Sequence, residues 1–229
     1  MDIIGADFDT LSSIIDISGY LVNESPLRVG GGRGNKFDSA ADSPIITMGN
    51  IPFIPGSTLK GSLRSLAEAY AKSMGWKVVY PYDDAKEEEL NDCITCVLFG
   101  SKNVASRVYL FDSPLKGDVR TGIRTMVAIN RVFGAQQPKM LYKLDYIEPN
   151  SLFDFKMRII NLDVINGEND EWKKKGVQII NFLISQLKEG IMIGSRKSTG
   201  YGLVKFNDAK YVLKKLVNGE MKVIKEGKL

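Results

Sequence analysis

The stretch GSRKSTGYG, Gly194 to Gly202, sets Arg196 and Lys197 between hydroxyl-bearing residues and among glycines. Glycine lets a backbone approach a ligand closely and expose its N–H groups, and the two cations add charge. A phosphate backbone suits such a loop. The spacing is not GxxxxGK[ST] and the stretch does not follow a strand, so nucleoside triphosphate binding is rejected. Lys60 and Arg64 stand four residues apart near the start of a helical pattern, on one face. Cations usually avoid that end, where the helix dipole is positive. They are either a solvated pair or a pair that meets an anion. From 120 to 143 the chain carries Arg120, Arg124, Arg131, Lys139 and Lys143 and no acid. That run is either a solvated face or a polyanion contact.

Absences narrow the chemistry. The chain has no histidine, which excludes serine–histidine and cysteine–histidine nucleophile pairs and histidine-ligated zinc. Cys93 and Cys96 have CxxC spacing, but no third cysteine exists and a tetrahedral zinc site needs four ligands. No zinc is expected; the thiols should pack beside Val97, Leu98 and Phe99.

These residues need a scaffold. The 229 residues, 44% hydrophobic and 25% charged with net charge +4, fit one elaborated soluble domain. No apolar run is long enough for a membrane span and the start lacks a signal-peptide pattern. Two cysteines fit a reducing, cytoplasmic setting. Alternation predicts strands at about 14–22, 107–113, 151–161 and 201–206. Helical spacing predicts helices at 57–74, capped by Ser57 or Thr58, and at 171–190, closed by glycine. The order is strand, helix, strand, strand, helix, strand. That is an α+β, ferredoxin-like (RRM-like) βαββαβ core, with the sheet's free face available to RNA. Insertions fall at 30–50 (a glycine-rich loop), at 75–105 (an acidic segment) and at 122–147 (a β-hairpin with its turn near Gly134–Pro138). Asn218–Gly219 marks a C-terminal hairpin over 209–226.

Six stretches in this order carry a resemblance: RVGGG (28–32), DSPI (42–45), IPGSTLKGSLR (54–64), CITCVLFGS (93–101), VAINRVFGAQQPKMLY (127–142) and GSRKSTGYGLVKF (194–206). Together they resemble the RAMP superfamily of CRISPR-associated proteins, and within it the repeating backbone subunits (Cas-seven group) of type III effector complexes. The resemblance covers roughly residues 14–206. It implies copies of the chain, with other CRISPR effector subunits, stacked along a guide RNA. It implies a thumb hairpin that flips one base of the guide–target duplex, and cutting of complementary target RNA that depends on a divalent metal, Mg or Mn. The aspartate of the D-S-P match is Asp42, which would hold the metal; Asp38 is the second choice. The residues expected at RNA are Arg28, Arg33, Ser57, Lys60 and Arg64, then Arg124, Arg131 and Lys139 of the thumb, then Gly194, Arg196, Lys197, Gly200 and Gly202. Without the resemblance, an Asp-Ser-Pro triplet reads as an ordinary polar turn. Many members carry histidine where this chain has Arg28, a poor proton carrier at neutral pH. A non-catalytic RNA-binding subunit is the alternative; a guide-precursor-processing ribonuclease ranks below both, since those enzymes commonly use histidine.

Overall fold

The structure is a computed structural model and describes residues 10–30, 42, 44–80, 90, 92–102 and 104–229. Its centre is a four-position antiparallel sheet. β1 (Ser13–Asn23) lies between β8 (Leu152–Ile160) and β10 (Leu203–Val217), and β8 carries β4 (Val108–Leu110) and β5 (Ser113–Lys116) on its other side. This is the ferredoxin-like order that the strand–helix pattern predicts. Alternation explains the strands. Ile15, Ile17 and Leu21 of β1 and Phe153, Phe155, Met157 and Ile159 of β8 are buried on one face, as a period of two requires. Against that face pack α1 (Gly56–Ser73), α2 (Ile94–Phe99) and α3 (Glu171–Glu189), through Leu59, Leu63, Leu98, Ile180 and Leu183 among others.

The insertions add the rest. β2 (Thr47–Met48) and β3 (Ile51–Ile54) extend the sheet beyond β5. β6 (Thr121–Asn130) and β7 (Ala135–Ile147) form a separate two-stranded sheet, the thumb. β9 (Ile191–Met192) pairs with the start of β10, and β11 (Glu220–Lys228) is the outer strand beyond β10. Asn218 and Gly219 both have positive φ, 52° and 81°, the two-residue turn that Asn-Gly predicts.

Four local expectations need correction. The strand expected at 107–113 is interrupted, because Asp112 turns its carboxylate to the Gly56 N–H at 2.8 Å and so caps α1 from outside. Neither Ser57 nor Thr58 caps that helix. Pro55 stands at the cap, its carbonyl accepting from Thr58 N at 2.9 Å and Leu59 N at 3.2 Å. The strand expected to end at 206 runs on to Val217, absorbing the first arm of the C-terminal hairpin. Its apolar alternation resumes after a bulge at Asp208, whose φ is 51°. Gly19 permits that bulge: a Cβ there would lie 2.6 Å from the Asn207 carbonyl oxygen. Finally, the thumb turns at 131–134, earlier than expected. Asn130 Oδ1 accepts from Val132 N at 2.9 Å and Phe133 N at 3.3 Å, which closes the turn before Pro138 is reached.

Candidate nucleic-acid interface

The glycine loop is folded back on residues 26–29. Ser195 N donates to Arg28 O at 2.9 Å, and Gly202 N to Pro26 O at 2.9 Å. Two glycines are compelled here. A Cβ on Gly194 (φ 78°) would sit 2.3 Å from Arg28 O, and one on Gly202 (φ 89°) 2.0 Å from Ile193 O. Between them Arg196 takes a left-handed conformation (φ 60°) and starts a 3-10 turn over Lys197–Thr199. Lys197 and Gly200 are exposed. Lys197 also lines a groove of about 550 Å³ with Gly61, Ser62 and Ser65 of α1 and Gln186 of α3. Arg196 instead reaches the thumb: its guanidinium donates to the Tyr142 hydroxyl and lies 5.2 Å from that ring's centre.

A second cation–aromatic set lies at the thumb's root. Arg124 is 5.8 Å from the Tyr146 ring and 5.6 Å from the Tyr201 ring, and those two rings meet edge to face at 6.1 Å. Tyr201 is only 1% exposed, and its buried hydroxyl has no hydrogen-bond partner among the described residues. Tyr142, Leu144 and Tyr146 stand two apart, so all three share a face of β7, with Leu144 buried between the rings. These tyrosines were not anticipated from sequence. Their signal was there, since Tyr142 and Tyr146 stand four apart in a strand beside the basic run.

Arg28 was expected at phosphate, yet it is 9% exposed. Its Nη1 donates to Ser195 Oγ at 2.9 Å. Burial, with the charge of Arg196, lowers its pKa, while Asp145, Tyr142 and Tyr201 act the other way. Its place is beneath the glycine loop as a strut.

Asp42 is exposed, and its Oδ2 accepts the Lys143 N–H of β7 at 2.8 Å. The residues after it are pinned as well. Ile46 N donates to Val29 O at 2.9 Å, Gly30 bridges Ile45, and Ile45 N reaches Asp145 Oδ2 at 3.5 Å. Leu27 and Ile147 exchange backbone hydrogen bonds at 3.0 and 2.8 Å. The Asp42 segment, the thumb's return strand and the stretch under the glycine loop therefore meet at one junction. Arg33 and Asp38 lie outside the described residues.

Other expected residues lie elsewhere. Lys60 Nζ donates to Ser106 Oγ at 2.9 Å, and burial plus the charge of Arg64 lower its pKa. Arg64 pairs with Glu68 at 2.7 Å and donates to Gly100 O at 2.8 Å. Both face α2 and β4, while the neighbouring Gly61 and Ser65 face the groove. The anion that the helix start receives here is the Asp112 carboxylate. Ser57 is exposed beside that start, Arg131 is exposed in the thumb turn, and Lys139 lies on β7. On the free sheet face several cations are matched by acids, while exposed Lys156 lies 5.1 Å from the centre of the Phe111 ring and Lys116 also lies 4.9 Å from that of Tyr20. Asp16 holds Arg158 at 2.7 Å and Lys214 at 3.4 Å, Lys116 pairs with Asp154 at 3.3 Å, and Lys205 with Glu24 at 2.9 Å.

Cys93 and Cys96 are free, buried thiols. Cys93 Sγ accepts N–H bonds from Val79 and Cys96, both at 3.3 Å. The neighbouring Cys96 thiol, which donates to Val79 O at 3.5 Å, and these N–H bonds pull the Cys93 pKa down. Among the described residues no group of three or more histidine, cysteine or acidic side chains could hold a metal. A lone carboxylate still fits magnesium, which keeps most of its waters and takes one or two carboxylates plus substrate phosphate oxygens. Asp42 Oδ1 would be that ligand, with Oδ2 on the thumb.

Comparison with known proteins gives one family and several relatives. A family model described as RAMP superfamily matches residues 20–205. Three curated proteins, each named CRISPR system Cms endoribonuclease Csm3, are similar along most of their length. That of Methanocaldococcus jannaschii is 26% identical over 223 residues, covering 90% of this chain and 83% of the relative. That of Streptococcus thermophilus is 28% identical over 211 residues, covering 86% and 88%. That of Mycobacterium tuberculosis is 27% identical over 218 residues, covering 86% and 87%.

Proposed function

The chain belongs to the RAMP superfamily, and from that premise we propose that it is a backbone subunit of a type III CRISPR effector complex, binding guide RNA and cutting complementary target RNA. The observation that carries the reading is the junction at which the glycine loop, the thumb's return strand and Asp42 converge. The names of the curated relatives, all endoribonucleases of a CRISPR system, support the activity.

In this reading Lys197 and the exposed backbone of the glycine loop contact guide phosphates. Arg196 and Arg124, seated on tyrosine rings, present charge beside stacking surfaces, a combination that suits single-stranded nucleic acid. The thumb's apolar tip, with Val132 85% and Phe133 81% exposed, wedges into the duplex and kinks the target strand. A kink can set a ribose 2′-OH in line with its own phosphate, so that positioning lowers the barrier. Bound divalent metal would stabilise charge developing on the phosphorus oxygens. Asp42 would hold that metal, next to the thumb that bends the strand.

A non-catalytic backbone subunit is the second reading, favoured by one observation: Asp42 is a single carboxylate with one oxygen already engaged. Asp42→Ala separates the two. We expect the mutant, in an assembly loaded with guide RNA, to cut labelled complementary RNA about a hundredfold more slowly, the scale of losing one transition-state stabilising group. Guide and target affinity should stay within twofold or so, and chelation of divalent ions should stop the wild type. Unchanged cutting by both Asp42→Ala and Asp38→Ala would establish the second reading, whereas loss in Asp38→Ala alone would move the assignment to Asp38.

A further inference from the structure

We propose that Asp145 is a positioning residue for the Asp42 segment, holding residues 44–46 on the thumb's return strand so that Asp42 stays seated at Lys143. The inference rests on the reading of Asp42 as the carboxylate of the cutting step. Two carboxylates reach in opposite directions across the same junction. Asp42 Oδ2 accepts from the backbone of β7, at Lys143. Asp145 Oδ2, on β7, accepts from the backbone of the Asp42 segment, at Ile45. Each chain segment is thus tied to the other by its own acid, three residues or fewer from the partner's tie.

A carboxylate is an expensive choice at this place. Ile147, the next residue on its face of β7, is buried, and burial raises the Asp145 pKa, opposed by the N–H groups of Ile45 and Tyr146 and by the charge of Arg28. A polar or apolar side chain would avoid that cost if filling space were the only requirement. Ionised Asp145 holds the N–H of Ile45 at 3.5 Å and feels the charge of Arg28, which braces the glycine loop. The charged and titratable groups that bear on it are Arg28 directly and, around Arg28, Arg196, Tyr142 and Tyr201. Protonation at Asp145 therefore loosens the Asp42 segment, while Arg28 keeps its bond to Ser195 beneath the glycine loop.

The pH direction follows from the raised pKa. As pH falls through the raised value, wild-type Asp145 becomes neutral and the protein comes to behave like Asp145→Asn. We expect Asp145→Asn to cut several-fold more slowly than wild type at neutral pH and Asp145→Ala about tenfold or more, the cost of a misplaced reacting group. RNA affinity should stay within twofold or so in both. The ratio of wild-type to Asp145→Asn rates should shrink toward one as pH falls; a merely structural loss would lower the rate by the same factor at every pH.

The test uses the full chain in an assembly loaded with a synthetic guide RNA, a labelled complementary RNA and magnesium, and compares both variants and Asp42→Ala in single turnover. Amide hydrogen exchange at Ile45 and Lys143 is measured alongside in the RNA-free chain, and should quicken in Asp145→Ala. If Asp145→Asn matches wild type at every pH and exchange is unchanged, Asp145 positions nothing and the proposal is overturned. If Asp42→Ala cuts normally, the reading of Asp42 has failed instead, and the exchange rates still decide whether Asp145 holds the segment.

Discussion

The free face of the sheet and the root of the thumb both carry cations, but they are met differently. On the sheet face Arg158 and Lys214 share Asp16, Lys116 has Asp154 and Lys205 has Glu24. At the thumb's root Arg196 rests on Tyr142, and Arg124 lies between Tyr146 and Tyr201. A carboxylate cancels a charge; a tyrosine ring holds it in place and leaves it available. The sheet face, where RRM domains bind RNA, is thus the more neutralised of the two, with Lys156 beside the Phe111 ring as its exception. In this chain the cations seated on tyrosine rings gather at the glycine loop and the hairpin.

The comparison can be broken most forcefully at the glycine loop. Replacing Arg196 and Lys197 with alanine should weaken guide-RNA binding by roughly 3 kcal/mol, two charge-assisted contacts, and lower the slope of log affinity against log salt by about 1.5. The control replaces Lys116 and Lys205, and should leave both quantities unchanged. Equal losses from the two double mutants, read by filter binding across a salt series, would erase the distinction.

A smaller effect is expected at the thumb tip. Val132 and Phe133 touch little of their own chain, so serine at both should leave thermal stability unchanged. Guide binding should survive as well, while the regular spacing of cuts in target RNA is lost, because unstacking a base step needs an apolar wedge. Evenly spaced products on a sequencing gel would show that the tip does not kink the strand.

The smallest effect belongs to the neutralised face. Arg158→Ala should cost about 1 kcal/mol of stability or less, as partly exposed ion pairs do, and nothing in RNA affinity. Burial alone would raise the Asp16 pKa, but hydrogen bonds and charge from Arg158 and Lys214 bring it below its ordinary value. Its contribution to stability is therefore present above the ordinary aspartate range and lost as pH falls through the depressed value. Chemical denaturation across acid pH should show a shallower loss in Arg158→Ala than in wild type.

Periodic features were legible in the sequence, and features made by distant partners were not. β1 and β8 follow from alternation, α1 and α3 from helical spacing, the C-terminal turn from Asn218–Gly219. The glycine loop was legible as a place, because Gly194 and Gly202 mark backbone contacts that no other residue permits. The Asp112 cap on α1 was invisible, since its two ends are 56 residues apart. So was the burial of Arg28, which reads in isolation as an exposed cation. Lys60 and Arg64 were rightly placed on one face, but sequence gives no means of telling that this face meets α2 and β4 while the next one lines the groove. Asp145 stayed unnoticed because its role exists only once the Asp42 segment lies on β7.

The thumb leaves and re-enters the body at neighbouring points: Glu148 N donates to Arg120 O at 3.0 Å, beside the Leu27–Ile147 pair. The body therefore does not register how long the hairpin is. Two residues added to each arm would lengthen the thumb by about 7 Å and return every side chain to its own face, whereas one residue added to each would turn the tip over. Hairpin length is in that sense a ruler with two-residue graduations, adjustable without redesigning the domain that carries it.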